Sequence, residues 1–270
     1  MESHVAGSAA SMTLENLEDD HVASLAEREK SFYNERAQTS YNRLRQWIWR
    51  AIGEFGRDEE AYGLYNPAGK DVLDYGCGPG YLTKSLVEGG ASTVTGIDVS
   101  DGEIEQARVR AEENGIADRS RFLVADAHAT DFPDDSFDLI VGAAILHHLE
   151  LRKALLEIRR ILRPGGEAIF LEPMAHNPVL RLGRALTPSA RTPDEHPLTA
   201  DDWKLCAEIF PEFEHEEREF LTIPLMPLNL LLPKAAQKWL ARRVWAIDDW
   251  VLARFPSLGR YARSTFLILK

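Results

Sequence analysis

Cysteine is scarce in this chain. Only Cys77 and Cys206 occur in 270 residues, far apart and in no metal-ligand or redox spacing. A disulfide framework and a cysteine metal knot are therefore excluded as organising devices. The expectation is two reduced thiols in a cytoplasmic protein, with no metal site. Basic charge is also short: 31 Lys and Arg stand against 43 Asp and Glu, giving a formal net charge of −12. Nucleic-acid binders usually show the opposite balance, because they neutralise phosphates. Long apolar runs are missing as well. The longest, around Leu225 to Leu232, is broken by Pro227 and stops at Pro233, too short to span a bilayer. Met1 to Met12 lack the basic start and apolar run of a signal peptide and read as a disordered tail over 1–12. No internal repeat or low-complexity tract is present. What remains is ordinary globular composition, 44% hydrophobic and 27% charged, enough to bury a core without staples.

The chain divides into zones. Residues 13–66 carry helical spacing in Phe32, Tyr33, Leu44, Trp47, Ile48 and Ala51, which predicts an N-terminal helical cap. The core is expected over 67–222. Within it, strand patterns at Asp71–Tyr75, Thr93–Asp98, Arg121–Ala125, Phe137–Ala143 and Glu167–Glu172 alternate with helix patterns. Those helices are expected at Tyr81–Glu88, Glu103–Asn114 and Leu151–Leu162, with Gly115 and Pro164-Gly165-Gly166 as stops. Short apolar strands alternating with helices imply a parallel sheet covered on both faces. Thr199, ahead of Asp201 and Asp202, is placed to open a further helix. A strand is expected near Glu214–Ile223, then a helical, lid-like insertion over 223–258. A final core strand at Ser264–Leu269 lies within 259–270. The fold class is α/β, with seven strands in a mostly parallel sheet.

The segment Val72-Leu73-Asp74-Tyr75-Gly76-Cys77-Gly78-Pro79-Gly80 runs an apolar strand into a Gly-x-Gly-x-Gly turn, with a helix straight after. Glycines let the backbone turn tightly and approach a ligand closely. A dinucleotide site uses Gly-x-Gly-x-x-Gly, and the position of its third glycine is here Tyr81. Asp74 also suits a ligand carrying an ammonium and one carboxylate better than a pyrophosphate.

Asp74 to Gly80 resembles motif I of the class I methyltransferases that bind S-adenosylmethionine. Three further segments agree in order and spacing: Gly96-Ile97-Asp98-Val99-Ser100, Ala125-Asp126-Ala127 and Leu162-Arg163-Pro164-Gly165-Gly166. The resemblance covers about residues 70–173 and implies S-adenosyl-L-methionine as cofactor and S-adenosyl-L-homocysteine as product. It implies that Asp98 accepts the ribose hydroxyls and that Asp126, with the N–H of Ala127, takes the adenine amino group. Val99 is expected on the adenine face, Gly76 and Gly78 against the methionine part with Asp74 at its ammonium, and Cys77 and Ala143 among the cofactor-binding residues. The fold the resemblance implies is Rossmann-like, with the last strand antiparallel at the edge of the sheet.

Methyl transfer from a sulfonium is an in-line displacement, so the enzyme chiefly aligns the nucleophile and excludes water. A base is needed only where the nucleophile loses a proton. The acceptor should lie beyond the carboxyl ends of the strands. His147 and His148 after the fourth strand, and Glu172 and His176 around the end of the fifth, are the candidate catalytic groups. Their other reading is structural: rings that shape the pocket, and a cap on the loop at Asn177. Tyr33, Tyr41 and Tyr65 are candidates for acceptor contact. The segment Arg191-Thr192-Pro193-Asp194-Glu195-His196-Pro197 resembles a loop of some methyltransferases acting on quinone-like and specialised metabolites, which adds Arg191 and His196. Trp239, Trp245 and Trp250, with Lys234, Lys238, Arg242, Arg243 and Arg254, read as a lid, a peripheral membrane contact or a helical pair over the sheet edge.

The (Asp/Asn)-Pro-Pro-aromatic motif of nucleic-acid amino-methyltransferases is missing: Ala68 follows Asn66-Pro67, and Val179 follows Asn177-Pro178. No Pro-Cys pair serves attack on cytosine. The expected function is methyl transfer to a small, lipophilic acceptor at carbon or oxygen, with no nucleic-acid partner. The alternative is a methyltransferase-like protein that binds the cofactor without transfer, as a cyclase or binding protein.

Overall fold

The structure is a computed structural model and describes residues 14–38, 65–186, 192, 194–225 and 231–270. Seven strands are present: β1 (Asp71–Tyr75), β2 (Thr93–Asp98), β3 (Ser120–Val124), β4 (Phe137–Ala143), β5 (Leu162–Pro173), β6 (Phe213–Arg218) and β7 (Ser264–Leu269). They pair in the order β3-β2-β1-β4-β5-β7-β6. The first five are parallel, whereas β7 runs antiparallel to both β5 and β6.

The last strand is thus antiparallel, as the resemblance implied, but it lies inside the sheet and β6 takes the edge. Burial supplies the reason. Five of the six residues of β7 are buried, so both its backbone edges need partners. The Phe-Glu-His-Glu-Glu-Arg of β6 is largely exposed, and charged residues blunt an edge against further pairing. β6 also ends earlier than its sequence pattern suggests. Glu219 turns the chain with φ +68°, and the buried Asp248 carboxylate accepts the N–H groups of Phe220 and Leu221 at 2.9 and 2.7 Å.

Side chains alternate across the sheet with the strand period of two. Leu73, Tyr75, Ile140, Phe170 and Leu267 point to one layer, with α4 (Leu151–Ile161) and α6 (Asp202–Ile209). Val72, Val94, Leu139, Val141 and Phe266 point to the other, with α2 (Tyr81–Glu88) and α3 (Asp101–Glu113). Each fully buried Leu or Phe contributes about 1.5–3 kcal/mol to this sandwich. Both cysteines are buried and unpaired, and burial pushes the Cys206 thiol up to about 12.

The described part of the N-terminal zone is one helix, α1 (Leu14–Gln38), set against α3. Asn34 Oδ1 accepts from Ser100 Oγ at 2.7 Å and the Gly102 N–H at 3.0 Å, and Lys30 pairs with Asp101 at 2.8 Å. The expected tail over 1–12 and the cap beyond residue 38 lie outside the described residues. After β5 come α5 (Pro178–Leu186), then α7 (Thr222–Leu225) and α8 (Lys234–Arg254). Ala241 and Val244 of α8 pack with Leu180, Leu221 and Leu225. The helix α6 has Asp201, not Thr199, at its N-cap, with no side-chain cap bond; the Thr199 N–H and hydroxyl both donate to Asp202 Oδ2, at 2.7 and 2.8 Å. Among the described residues no helix is long and apolar enough to cross a membrane.

Candidate active site

The carboxyl ends of β1, β2 and β4 and the inner face of α1 enclose a cavity of about 320 Å³. Its floor is the glycine turn after β1. Gly76, Gly78 and Gly80 have φ of +72°, +49° and +75°, a region that side chains disfavour. A Cβ at Gly76 would meet Ile145 Cγ1 at 2.5 Å, whereas one at Gly78 would meet no protein atom within 4 Å. Gly76 is therefore fixed by packing, and Gly78 by backbone conformation beside open space.

Three carboxylates mark strand ends on the cavity wall. Asp74 is buried and accepts from Thr83 Oγ1 at 2.7 Å. Burial holds its carboxyl up at about 7, despite that hydrogen bond. Asp98 accepts from the Gly78 N–H through Oδ2 and from the Ser100 N–H through Oδ1, both at 2.9 Å. Burial again pushes its carboxyl up, against those two bonds. Asp126 Oδ1 accepts from the His128 N–H at 2.9 Å and lies 2.7 Å from His128 Nδ1. His128 Nε2 accepts from the Glu150 N–H at 2.9 Å, which places the ring proton on Nδ1, facing Asp126. Burial opposes ionisation of Asp126, but the His128 bonds outweigh it and hold the carboxyl below its usual range.

The opposite wall is polar in a different way. His148, Tyr33 and Glu29 all line the cavity. Val22, Leu25 and Glu29 are buried along one face of α1, with Tyr33 one turn further on. The Tyr33 hydroxyl is 3.1 Å from His148 Nε2, and Glu29 Oε2 is 3.3 Å from His148 Nδ1. Both Glu29 oxygens are buried with no hydrogen-bond partner among the described residues, an arrangement that costs free energy unless a ligand completes it.

His147 and Glu172 do not line this cavity. Glu172 is fully buried. Its Oε1 accepts from the N–H groups of Ile145 and Leu146 at 2.9 and 2.8 Å, and its Oε2 holds His147 Nδ1 at 2.7 Å. The carboxylate thereby ties β5 to the turn that carries His148. Glu172→Ala leaves those donors unmatched, and the expected loss is about 3 kcal/mol of stability by urea unfolding. A loss below about 1 kcal/mol would show that the turn stands without it.

The structure thus brings Asp74, Gly76, Cys77, Gly78, Asp98, Val99, Asp126, Ala127, Ala143, Tyr33 and His148 around one cavity. Tyr65 is buried instead in the layer of Val72 and Leu82. His176 and His196 are exposed, although the His196 N–H donates to the His147 carbonyl at 2.6 Å. Arg28 pairs with Asp194 at 2.7 Å and so ties that loop to α1. Tyr41 and Arg191 lie outside the described residues. No described residue of 223–258 lines the cavity. His147, His148 and Glu195 bring one ligand-type atom each within 4.8 Å of one another; His147 Nδ1 faces Glu172 and His148 Nε2 faces Tyr33. Sequence reasoning missed Glu29 and His128. Glu29 had a signal, an acid on the apolar side of a helix; His128 had only its place two residues after Asp126.

Comparison with known proteins agrees with this geometry. A family model described as a methyltransferase domain matches residues 72–166. Sterol 24-C-methyltransferase ERG6B of Gibberella zeae is 36% identical over 99 residues, covering 36% of this chain and 26% of that protein. The ubiquinone biosynthesis O-methyltransferase of Pseudomonas paraeruginosa is 36% identical over 112 residues, covering 41% of this chain and 47% of that protein. The chain thus spans less than half the length of these curated relatives. In fold it is similar to phosphoethanolamine N-methyltransferase 2 of Haemonchus contortus, solved in complex with S-adenosyl-L-methionine. That likeness has a TM-score of 0.59 at 17% identity and covers 88% of this chain and 59% of the other. The glycine turn after β1 and the acid closing β2 both fall inside the matched segment, and residues 72–166 are identified as a methyltransferase domain.

Proposed function

We propose that this protein transfers the methyl group of S-adenosylmethionine to a small, lipophilic acceptor, at carbon or oxygen. One observation carries the reading: a single cavity joins a glycine cradle with strand-end carboxylates to a separate cluster of His148, Tyr33 and Glu29.

The residues suit the cofactor. A carboxylate offers about four acceptor sites, and backbone N–H groups occupy two at Asp98. The remaining two match the ribose hydroxyls. Asp126 is held ionised and oriented by His128, ready to accept from the adenine amino group. Val99 and Ala127 bound the adenine slot, and Gly78 leaves the space the methionine part needs. The bound cofactor supplies an electrophilic methyl group on a sulfonium. The protein's task is to align the acceptor with it and keep water out. His148 faces the acceptor end as a base, with Glu29 beside Nδ1 to stabilise the protonated ring. Tyr33 orients the ring through Nε2 and yields that position to the acceptor. His147 and Glu172 act as positioning residues behind the turn.

Asp74 gives this assignment a proton signature. In the ligand-free folded protein its carboxyl titrates at about 7, well above an unfolded Asp at about 3.9. Its contribution to stability is therefore complete below the unfolded value and is lost as pH rises through 7. An ammonium bound against Asp74 favours the carboxylate. At pH 6, cofactor binding is expected to release close to one proton, read as a dependence of binding heat on buffer ionisation enthalpy. Asp74→Asn should abolish it. A binding heat indifferent to buffer in the wild type removes Asp74 from the ammonium site.

The test of the whole reading is calorimetric titration with S-adenosylmethionine and S-adenosylhomocysteine, followed by an acceptor screen with labelled methyl. Micromolar binding and transfer of label to a lipophilic acceptor support it. Binding without transfer to any acceptor favours a cofactor-binding protein that does not methylate.

A further inference from the structure

The outward face of α8 takes no part in the cavity. Helical spacing sets Trp239, Arg243, Ala246, Trp250 and Arg254 in one stripe, and all five are exposed. The opposite face is the packed one: Ala241, Val244 and Asp248 are buried. Trp239 and Trp250 are 61% and 64% exposed, with Ile247 and Phe255 also exposed beside them. The Arg243 guanidinium lies 5.1 Å from the centroid of the Trp239 ring. In a chain of net charge −12, this helix carries five basic residues and two acidic ones. One of those acids, Asp248, is turned inward onto the backbone of Phe220 and Leu221.

Two indoles on one open face are not explained by packing against the described residues. Their alternation with arginines is the pattern of a surface that lies among lipid headgroups. Indole rings settle at the boundary between headgroup and acyl chain, and arginines pair with the phosphates above them. The local excess of positive charge favours an anionic surface, against the repulsion expected from the rest of the chain. We propose that this face of α8 docks the protein onto an anionic lipid bilayer, lying in the headgroup plane. The inference goes beyond methyl transfer and does not depend on it.

The test is flotation of the full chain with phosphatidylcholine vesicles, with and without phosphatidylglycerol. The wild type is expected to float with the anionic vesicles at low salt, and to be released as salt screens the charges. Arg243→Glu with Arg254→Glu is expected to weaken partition at least tenfold. Trp239→Ala with Trp250→Ala should weaken it too and reduce the blue shift of tryptophan emission. These side chains are all exposed, so circular dichroism and cofactor binding should be unchanged. No binding by the wild type, equal binding to neutral vesicles, or unaltered binding by both double variants overturns the proposal. Dimerisation abolished by the same substitutions, without vesicle binding, also overturns it and assigns the face to a second copy.

Discussion

Replacing His148 with alanine is expected to lower kcat at least a hundredfold, while S-adenosylmethionine binds within about threefold of wild type. The expectation follows from position. Of the histidines after β4, only His148 lines the cavity, and it does so between two groups from α1. A positioned base contributes about 10²–10⁴ in rate when the acceptor must lose a proton. Glu29 sits 3.3 Å from the same ring with both oxygens otherwise unmatched, so Glu29→Gln should lower kcat as well, by about tenfold. His147→Ala breaks a structural tie and should act mainly through stability. A His148→Ala enzyme that keeps kcat within threefold of wild type and binds the cofactor normally would sink the assignment of the base.

Asp98→Ala is expected to weaken S-adenosylmethionine binding between tenfold and a hundredfold by calorimetry, with little change in kcat at saturating cofactor. Two losses combine. The ribose hydroxyls lose a charged acceptor, worth about 1.5–3 kcal/mol per hydrogen bond, and every 1.4 kcal/mol is about tenfold in affinity. The Gly78 and Ser100 N–H groups lose theirs as well, so the glycine turn is no longer held against the end of β2. Asp98→Asn retains an acceptor oxygen for one of these partners and should fall between the two. Unchanged affinity in the alanine variant would mean that the ribose lies elsewhere.

Much of the fold was legible along the chain. β1, β2, β4 and β7 fall at the residues that apolar periodicity marks, because strands buried on both faces leave near-continuous apolar runs. The wall proposed for the cofactor was placed for a related reason. Its groups lie in the last residues of strands or just after them, so sequence position alone carries them to the carboxyl edge of the sheet. The order of β7 and β6 was not legible. Pairing of strands distant in sequence depends on which edges are buried, and no local pattern records that. The exit from β6 was hidden too, since it is set by Asp248 of α8, some thirty residues downstream.

The acceptor end separates the two sources of information most clearly. From the sequence, His147, His148, Glu172 and His176 are equivalent candidates: titratable groups near two strand ends. A three-residue 3₁₀ turn, Leu146–His148, points successive side chains in different directions. Glu172 consumes the ring of His147 from below, and α1 meets the ring of His148 from above. The sequence by itself determined the strand–glycine–helix cradle and the acids that end its strands, because these depend on neighbours along the chain. Only the tertiary structure decided which histidine faces the cavity and that Glu29 joins it. Those choices depend on α1 folding back over the sheet, a contact between segments more than a hundred residues apart.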